Sequence, residues 1–342
     1  MRWHGRIVGV AGLVLMLGLG AEAKEALRGR SPLEELPSYI RRVTHFGQRA
    51  DFSHDGRKIL FLERTFGDVF EVEIATGIIT PVTHHFFHEG FTRALYLANG
   101  DILLSGSRTF DATDPWPSRG EKQAELWVLD KSLTKPPVPL GAHCSEGPAV
   151  SRRRMHLAWT QGGAFWAGDI VYDEGTPKLT NKKKLLDGND LPFECGLETQ
   201  NFRPPDEEEL IFSAYGYQGT DVCGLNLKTG KITNYSNAPN QYDEPEGIFP
   251  DGKYTLVECN RHMAKPEGIQ EVDIYKLALD GSGTLERITK FADYPGYKAS
   301  NPVVSDDGRV LAFQVARKGD PAGVGRGLLI LDLVAYEKAQ PQ

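Results

Sequence analysis

Beyond Gly20 the chain has no apolar run approaching the roughly 20 residues that a membrane-spanning helix needs, which argues against a stable membrane span in the remaining sequence. Positive charge is in deficit as well: 39 Lys and Arg stand against 46 Asp and Glu, a formal net charge of −7. General affinity for nucleic acid or anionic lipid rests on a basic surface, so neither is an expected partner. Cysteine is scarce, with four residues in 342. Several catalytic signatures are missing: there is no Gly-x-Ser-x-Gly nucleophile elbow, no glycine-rich phosphate loop and no His-Glu-x-x-His helix. A complete serine hydrolase, a nucleotide-binding enzyme and a zincin are thereby set aside.

The apolar stretch that does occur is short and N-terminal. Arg2 and Arg6 precede an apolar run over residues 7–20, and Ala21-Glu22-Ala23 has the small-x-small pattern of a signal-peptidase site. Residues 1–23 are predicted to be a signal peptide, residues 24–37 a linker and residues 38–342 one domain, periplasmic or secreted. No cysteine near the cut offers a lipid anchor.

What the chain has in quantity is one repeated phrase. ADFSHDGRKILFL at 50–62 joins a short strand to an apolar strand through an Asp-Gly turn, whose glycine supplies the positive backbone dihedral a tight hairpin needs. The phrase returns as ALYLANGDILLSG at 94–106, EGIFPDGKYTLVE at 246–258 and NPVVSDDGRVLAFQV at 301–315. Read for periods, the chain divides into six units beginning near residues 47, 85, 142, 187, 239 and 293, each with four short strands except the last, which has three. The third and fourth units carry Arg152-Arg153-Arg154 and Asp206–Glu208 in place of the Asp-Gly turn. Residues 39–46 (YIRRVTHF, Tyr39 to Phe46) form an orphan strand that fits the vacancy. The expectation is an all-β, six-bladed β-propeller whose last blade is closed by that N-terminal strand, which removes free sheet edges.

The Ser/Pro-Asp-Gly-Arg/Lys turns at 53–58, 249–253 and 305–309, with their lead-in segments at 43–56 and 288–308, resemble the WD-like repeats of TolB-type six-bladed propellers. The resemblance implies a fold. Its functional implications are broader, since related propellers serve as periplasmic scaffolds, as gating domains of oligopeptidases and as oligogalacturonate lyases.

Propeller connectivity sorts the loops into two faces. The loop leading into each blade and the loop between its second and third strands share one face, which gathers the long insertions at 106–124, 260–271 and 316–327 and is the expected binding surface. The Asp-Gly and Thr-Gly turns share the other, expected to be quiet. Aligned on their turns, the units bring Arg49, Arg93, Glu146, Gln200, Glu244 and Asn301 to the channel rim, a mixed ring able to grip a peptide terminus or an acidic sugar, or to be a solvated wall. His84, His85, His88 and Glu89, then His143 and Glu146, then Asp243, Glu244 and Glu246 lie on loops of the same face. Of these, His88, His143 and Glu146 are the candidate metal ligands, although no spacing is diagnostic, and a divalent metal is the one cofactor such loops could take. Trp116, Phe110, Tyr215, Tyr217, Tyr294 and Tyr297 are candidate stacking or anchoring aromatics there. Export makes disulfides admissible, and blade order favours Cys144 with Cys195 and Cys223 with Cys259, unpaired buried thiols being the alternative.

Two functions are expected. One is an exported scaffold that binds a protein or peptide of the cell envelope on its loop-rich face, with no catalytic residue assigned; the other is a metal-dependent carbohydrate-active enzyme acting on an acidic oligosaccharide.

Overall fold

The computed structural model describes residues 27–144, 147–263, 271–321 and 323–340. The expected signal peptide lies outside these residues, as do Glu146 and part of the 260–271 insertion. No described helix is long and apolar enough to cross a membrane.

Six four-stranded antiparallel sheets follow one another along the chain. Blade I consists of β2 (Gln48–Phe52), β3 (Lys58–Leu62), β4 (Val69–Glu73) and β5 (Ile79–Pro81), and blade II of β6 (Arg93–Tyr96), β7 (Ile102–Ser107), β8 (Ala124–Leu129) and β9 (Val138–His143). Blade III has β10 (Ala149–Val150), β11 (His156–Gln161), β12 (Ala164–Asp173) and β13 (Thr176–Asp187); blade IV has β14 (Gly196–Phe202), β15 (Glu209–Tyr215), β16 (Thr220–Asn226) and β17 (Ile232–Asn234). Blade V runs β18 (Asp243–Ile248), β19 (Tyr254–Cys259), β20 (Asp273–Ala278) and β21 (Leu285–Arg287). Blade VI supplies β22 (Tyr297–Val304), β23 (Val310–Arg317) and β24 (Leu328–Asp332), and its fourth strand is β1 (Ile40–Arg42) from the other end of the chain. The six-bladed propeller read from the repeats is the fold.

The closing strand is shorter than residues 39–46. Ile40, Arg41 and Arg42 pair with Leu331, Ile330 and Leu329, after which Thr44 bends the chain away by accepting the Leu328 amide and donating to the Phe46 carbonyl. Gly327, at φ +108, lies so close to this bend that an added Cβ would collide with the Thr44 carbonyl oxygen.

The Asp-Gly turns form as the sequence requires. Gly56, Gly252 and Gly308 have φ near +70, in the left-handed region that side chains with a Cβ rarely adopt. Ser53 and Ser305 lock two of these turns by donating to Asp55 and Asp307 at 2.7 Å. In blade IV, Glu207 takes the left-handed position at φ 57, and its carboxylate accepts from Ser151 and Arg154 of blade III, so the two irregular turns stabilise each other. Apolar side chains fill the six wedges between neighbouring sheets. Leu60, Leu62 and Leu104 occupy the first wedge, Trp159 and Leu126 the second, Phe165 and Phe212 the third, Val222 and Val257 the fourth, Phe313 and Leu256 the fifth, and Phe52 and Phe61 the sixth, all essentially water-free. Alternation along each strand sends one side chain into the wedge on each flank, and that is what holds the ring together.

The cysteines contribute to these wedges as apolar side chains. None of the four is joined to another, so the expected Cys144–Cys195 and Cys223–Cys259 pairings are corrected. Cys144 packs in the wedge between blades II and III, Cys223 between III and IV and Cys259 between IV and V. The expected partners are separated by the wedges: Cys144 lies in a different wedge from Cys195, which packs against the cluster that holds Cys223, and Cys259 lies in the next wedge on.

Candidate functional site

The channel is lined by the innermost strand of each blade, and in blades I, IV, V and VI that strand carries a register shift partway along. In blade V the shift inserts Glu246 between the pairs Pro245↔Val257 and Gly247↔Leu256, while Glu244 stands directly opposite Glu258. Strand alternation puts Glu244 and Glu246 on the same side. The result is three carboxylates from one hairpin with ligand oxygens all within 4.8 Å of one another. Glu198 of β14 joins them from blade IV, and Arg49, Arg93, Lys298, Tyr215 and Tyr242 line the same cavity of about 330 Å³ on the loop-rich face.

Neighbouring groups hold the carboxylates in place. The Asn301 backbone donates to Glu258 at 2.7 Å and its amide side chain to Glu246 at 2.7 Å. Arg93 stands 3.8 Å from Glu246. The Tyr215 hydroxyl lies 2.5 Å from Glu198 and also meets Glu244, which the Tyr242 hydroxyl contacts as well. The Tyr215 hydroxyl thus bridges two carboxyls of the cluster. Burial, reinforced by the Glu246 and Glu198 charges, pushes Glu244 up to about 8. Burial pushes Glu246 and Glu258 up to about 7, with Arg93 and Lys298 respectively restraining the rise. An all-oxygen set of carboxylates suits a hard cation such as Ca²⁺, Mg²⁺ or Mn²⁺, and groups titrating near neutrality can also exchange protons with a ligand.

The turn-bearing face is not quiet. A second cavity of about 360 Å³ opens there, lined by Pro148, Phe202, Pro204, Ile248 and Pro250 and by the charged Asp51, Arg152 and Asp306. Arg152, from the turn of blade III, reaches Asp306 of blade VI at 2.9 Å and the Phe52 carbonyl of blade I at 2.8 Å. His54 contacts Asp306 at 2.9 Å and, through its other nitrogen, the Leu97 carbonyl at 2.9 Å. Since that carbonyl can only accept, the Asp306 contact is a charged one when the imidazole is doubly protonated, and this partnership raises the His54 pKa. Arg93 and Glu246 border both cavities and form the waist between them.

Of the residues expected at the rim, Arg49, Arg93, Glu244 and Asn301 line the loop-face cavity, while Gln200 lines the turn-face one and donates to Ser213 at 3.2 Å. Glu146 lies outside the described residues. The histidines do not join the carboxylates, for among the described residues the group of three potential ligands this close is Glu244, Glu246 and Glu258. His88 accepts from the Gly90 amide and donates to Asp68 at 2.8 Å while packing on Phe91, a structural role at the junction of blades I and II. His143 meets the Ala124 carbonyl at 3.1 Å. Sequence reasoning missed Glu198, Tyr242, Glu258 and Lys298. Glu258 is the penultimate residue of the apolar strand β19, where its only signal is a carboxylate in the run TLVEC.

No protein-family model matches the chain, and no curated protein does. Solved propellers do. An oligogalacturonate lyase in complex with manganese is 14% identical, the match covering 84% of this chain and 77% of that one at a TM-score of 0.50. The calcium-binding protein regucalcin from Agrobacterium tumefaciens is 12% identical over 85% and 92% of the two chains, at 0.51. TolB from Acinetobacter baumannii is 14% identical over 80% of this chain and 63% of its own, at 0.42. At these identities the likeness is one of fold.

Proposed function

We propose that the protein is an exported binding propeller that takes an extended peptide or protein segment at its loop-face mouth. The carrying observation is the junction of a polar socket with an aromatic rim. Arg119 lines the cavity and packs over Trp116 at 5.5 Å, and Trp116 is 52% exposed. Phe110, in the same insertion as Trp116, is exposed as well. Aromatic anchors beside arginines are the residues that dominate protein recognition, while a few convergent polar groups fix orientation. Export rests on the residue 1–23 segment alone.

The test is fluorescence anisotropy with a library of labelled peptides bearing free termini. Arg49→Ala and Trp116→Ala should each weaken a selected peptide at least about tenfold, with circular dichroism unchanged. Absence of binding across the library, or binding indifferent to both substitutions, overturns the reading.

A second reading is favoured by the near-neutral titration of Glu244, Glu246 and Glu258. Such groups are poised as general acids and bases, which suits a carbohydrate lyase or hydrolase acting on acidic oligosaccharides. Its centre would then be these glutamates rather than His88, His143 and Glu146. Turnover of oligouronides that is lost in Glu258→Gln would favour it, and an inert wild-type protein would sink it.

A further inference from the structure

We propose that Glu244, Glu246 and Glu258 hold one hard divalent cation at the floor of the loop-face cavity. The inference rests on the reading of that mouth as a binding site and deepens it by naming what its acidic wall takes.

The geometry is costly without a counter-charge. Glu244 and Glu258 are direct cross-strand partners, an arrangement that destabilises a sheet when both are ionised. Glu258 is 4% exposed and the Glu246 side chain 6%, so water does little to screen them. The nearby cations offset this charge only in part: Arg93 stands 3.8 Å from Glu246, Arg49 spends a guanidinium nitrogen on the Thr92 carbonyl, and Lys298 tempers but does not cancel the upward shift of Glu258. Meanwhile the carboxylates are aimed. Asn301 fixes one oxygen each of Glu246 and Glu258, and the two tyrosines fix Glu244. Outer-shell donors of this kind orient ligands in metal sites.

A second observation is independent of the acids. Ser300, on the neighbouring innermost strand β22, is 1% exposed, lines the same cavity, and its hydroxyl oxygen has no hydrogen-bond partner. A buried hydroxyl left unsatisfied is uncommon and unfavourable. Ser300 pairs with Gln314 just before the register shift of β22, and the next residue along, Asn301, is the one that bonds both Glu246 and Glu258. The hydroxyl is therefore presented at the level of the cluster, where a cation or a water bound to it would satisfy it. Oxygen donors alone select Ca²⁺, Mn²⁺ or Mg²⁺ over softer ions.

The experiment strips the full-length protein with EGTA and EDTA and titrates it calorimetrically with CaCl₂, MnCl₂ and MgCl₂ at about pH 7.5, with thermal unfolding followed in parallel. One site per chain is expected for at least one of these ions, with a raised unfolding midpoint because the ion binds the folded state. Glu246→Gln/Glu258→Gln should weaken it at least about 100-fold, and Ser300→Ala roughly three- to tenfold, with the fold intact by circular dichroism. A folded wild-type protein that shows neither heat nor midpoint shift with millimolar concentrations of any of the three overturns the proposal, as does binding unchanged in the double variant. Should the double variant not fold, elemental analysis of wild-type protein dialysed against each ion decides: about one retained ion supports the site, and none overturns it. Repeating the peptide titration in EGTA separates the two readings. Peptide binding by a protein that takes no ion removes the cation and keeps the function, whereas ion binding without any peptide does the reverse.

Discussion

The two mouths of the channel use the same materials to opposite ends. On the turn-bearing side, Asp51 and Asp306 face Arg152 and His54, and the charges are matched within one hydrogen-bonded group. Arg152 arises in blade III and is anchored in blades I and VI, so it crosses the channel as a spoke. On the loop side, Glu198, Glu244, Glu246 and Glu258 crowd together, and the last three have carboxyl groups raised towards neutrality. The first group is hydrogen-bonded cation to anion, whereas the second sets carboxyl beside carboxyl. Size alone does not mark the site here, since the larger cavity is the self-satisfied one.

The contrast can be broken most forcefully at Arg152. Arg152→Ala leaves Asp51 without its cation and Asp306 with His54 alone, and should cost about 2–3 kcal/mol in urea unfolding, tempered by the partial exposure of the pair. On the loop side the sign should reverse. In chelator, Glu258→Gln relieves like-charge repulsion and should leave stability unchanged or raise it by roughly 0.5–1 kcal/mol; a loss comparable with that of Arg152→Ala would dissolve the distinction between the mouths.

Acidity sharpens the same comparison. A carboxyl whose folded pKa is raised keeps a proton that the unfolded chain has released, so its contribution is present below the ordinary value of 4.5 and is lost as pH rises through about 7 to 8. Metal-free protein should therefore lose stability steadily between about pH 5 and about pH 8.5, and Glu246→Gln/Glu258→Gln should flatten most of that slope. His54, raised by Asp306, acts in the same direction, its contribution fading as pH rises through a value above 6.5, and His54→Gln should flatten only a small part. The smallest effect expected is none: a reducing agent should leave the unfolding midpoint where it was, because all four cysteines are free thiols.

The fold was legible because each Asp-Gly turn fixes a strand on either side of it, and Gly56, Gly252 and Gly308 adopt the dihedrals those turns require. The rim was legible in part. Arg49, Arg93, Glu244 and Asn301 were found by counting back from the turns, but the count assumes an unbroken register. Glu246 breaks it: were the ladder to run on unbroken from Gly247↔Leu256, Glu246 would face Val257 and Pro245 would face Glu258, so the Glu244–Glu258 pair exists only because Glu246 is bulged out. His88 misled for a different reason. Its chemistry is that of a ligand, but Asp68 and the Gly90 amide consume both ring nitrogens, and no pattern in the sequence announces those partners.

The pairing of β1 with β24 joins the two most distant strands of the chain. Arg42 bonds the Arg326 carbonyl and Thr44 the Leu328 amide across 284 residues of chain, whereas every other strand pair joins segments within one blade. Contacts of long sequence separation bear the greatest loop-closure entropy and form slowly. Each blade can zip locally as soon as its four strands are available, but the ring must wait for both of its ends. The clasp of the ring is therefore the strand pairing that closes the longest loop of chain.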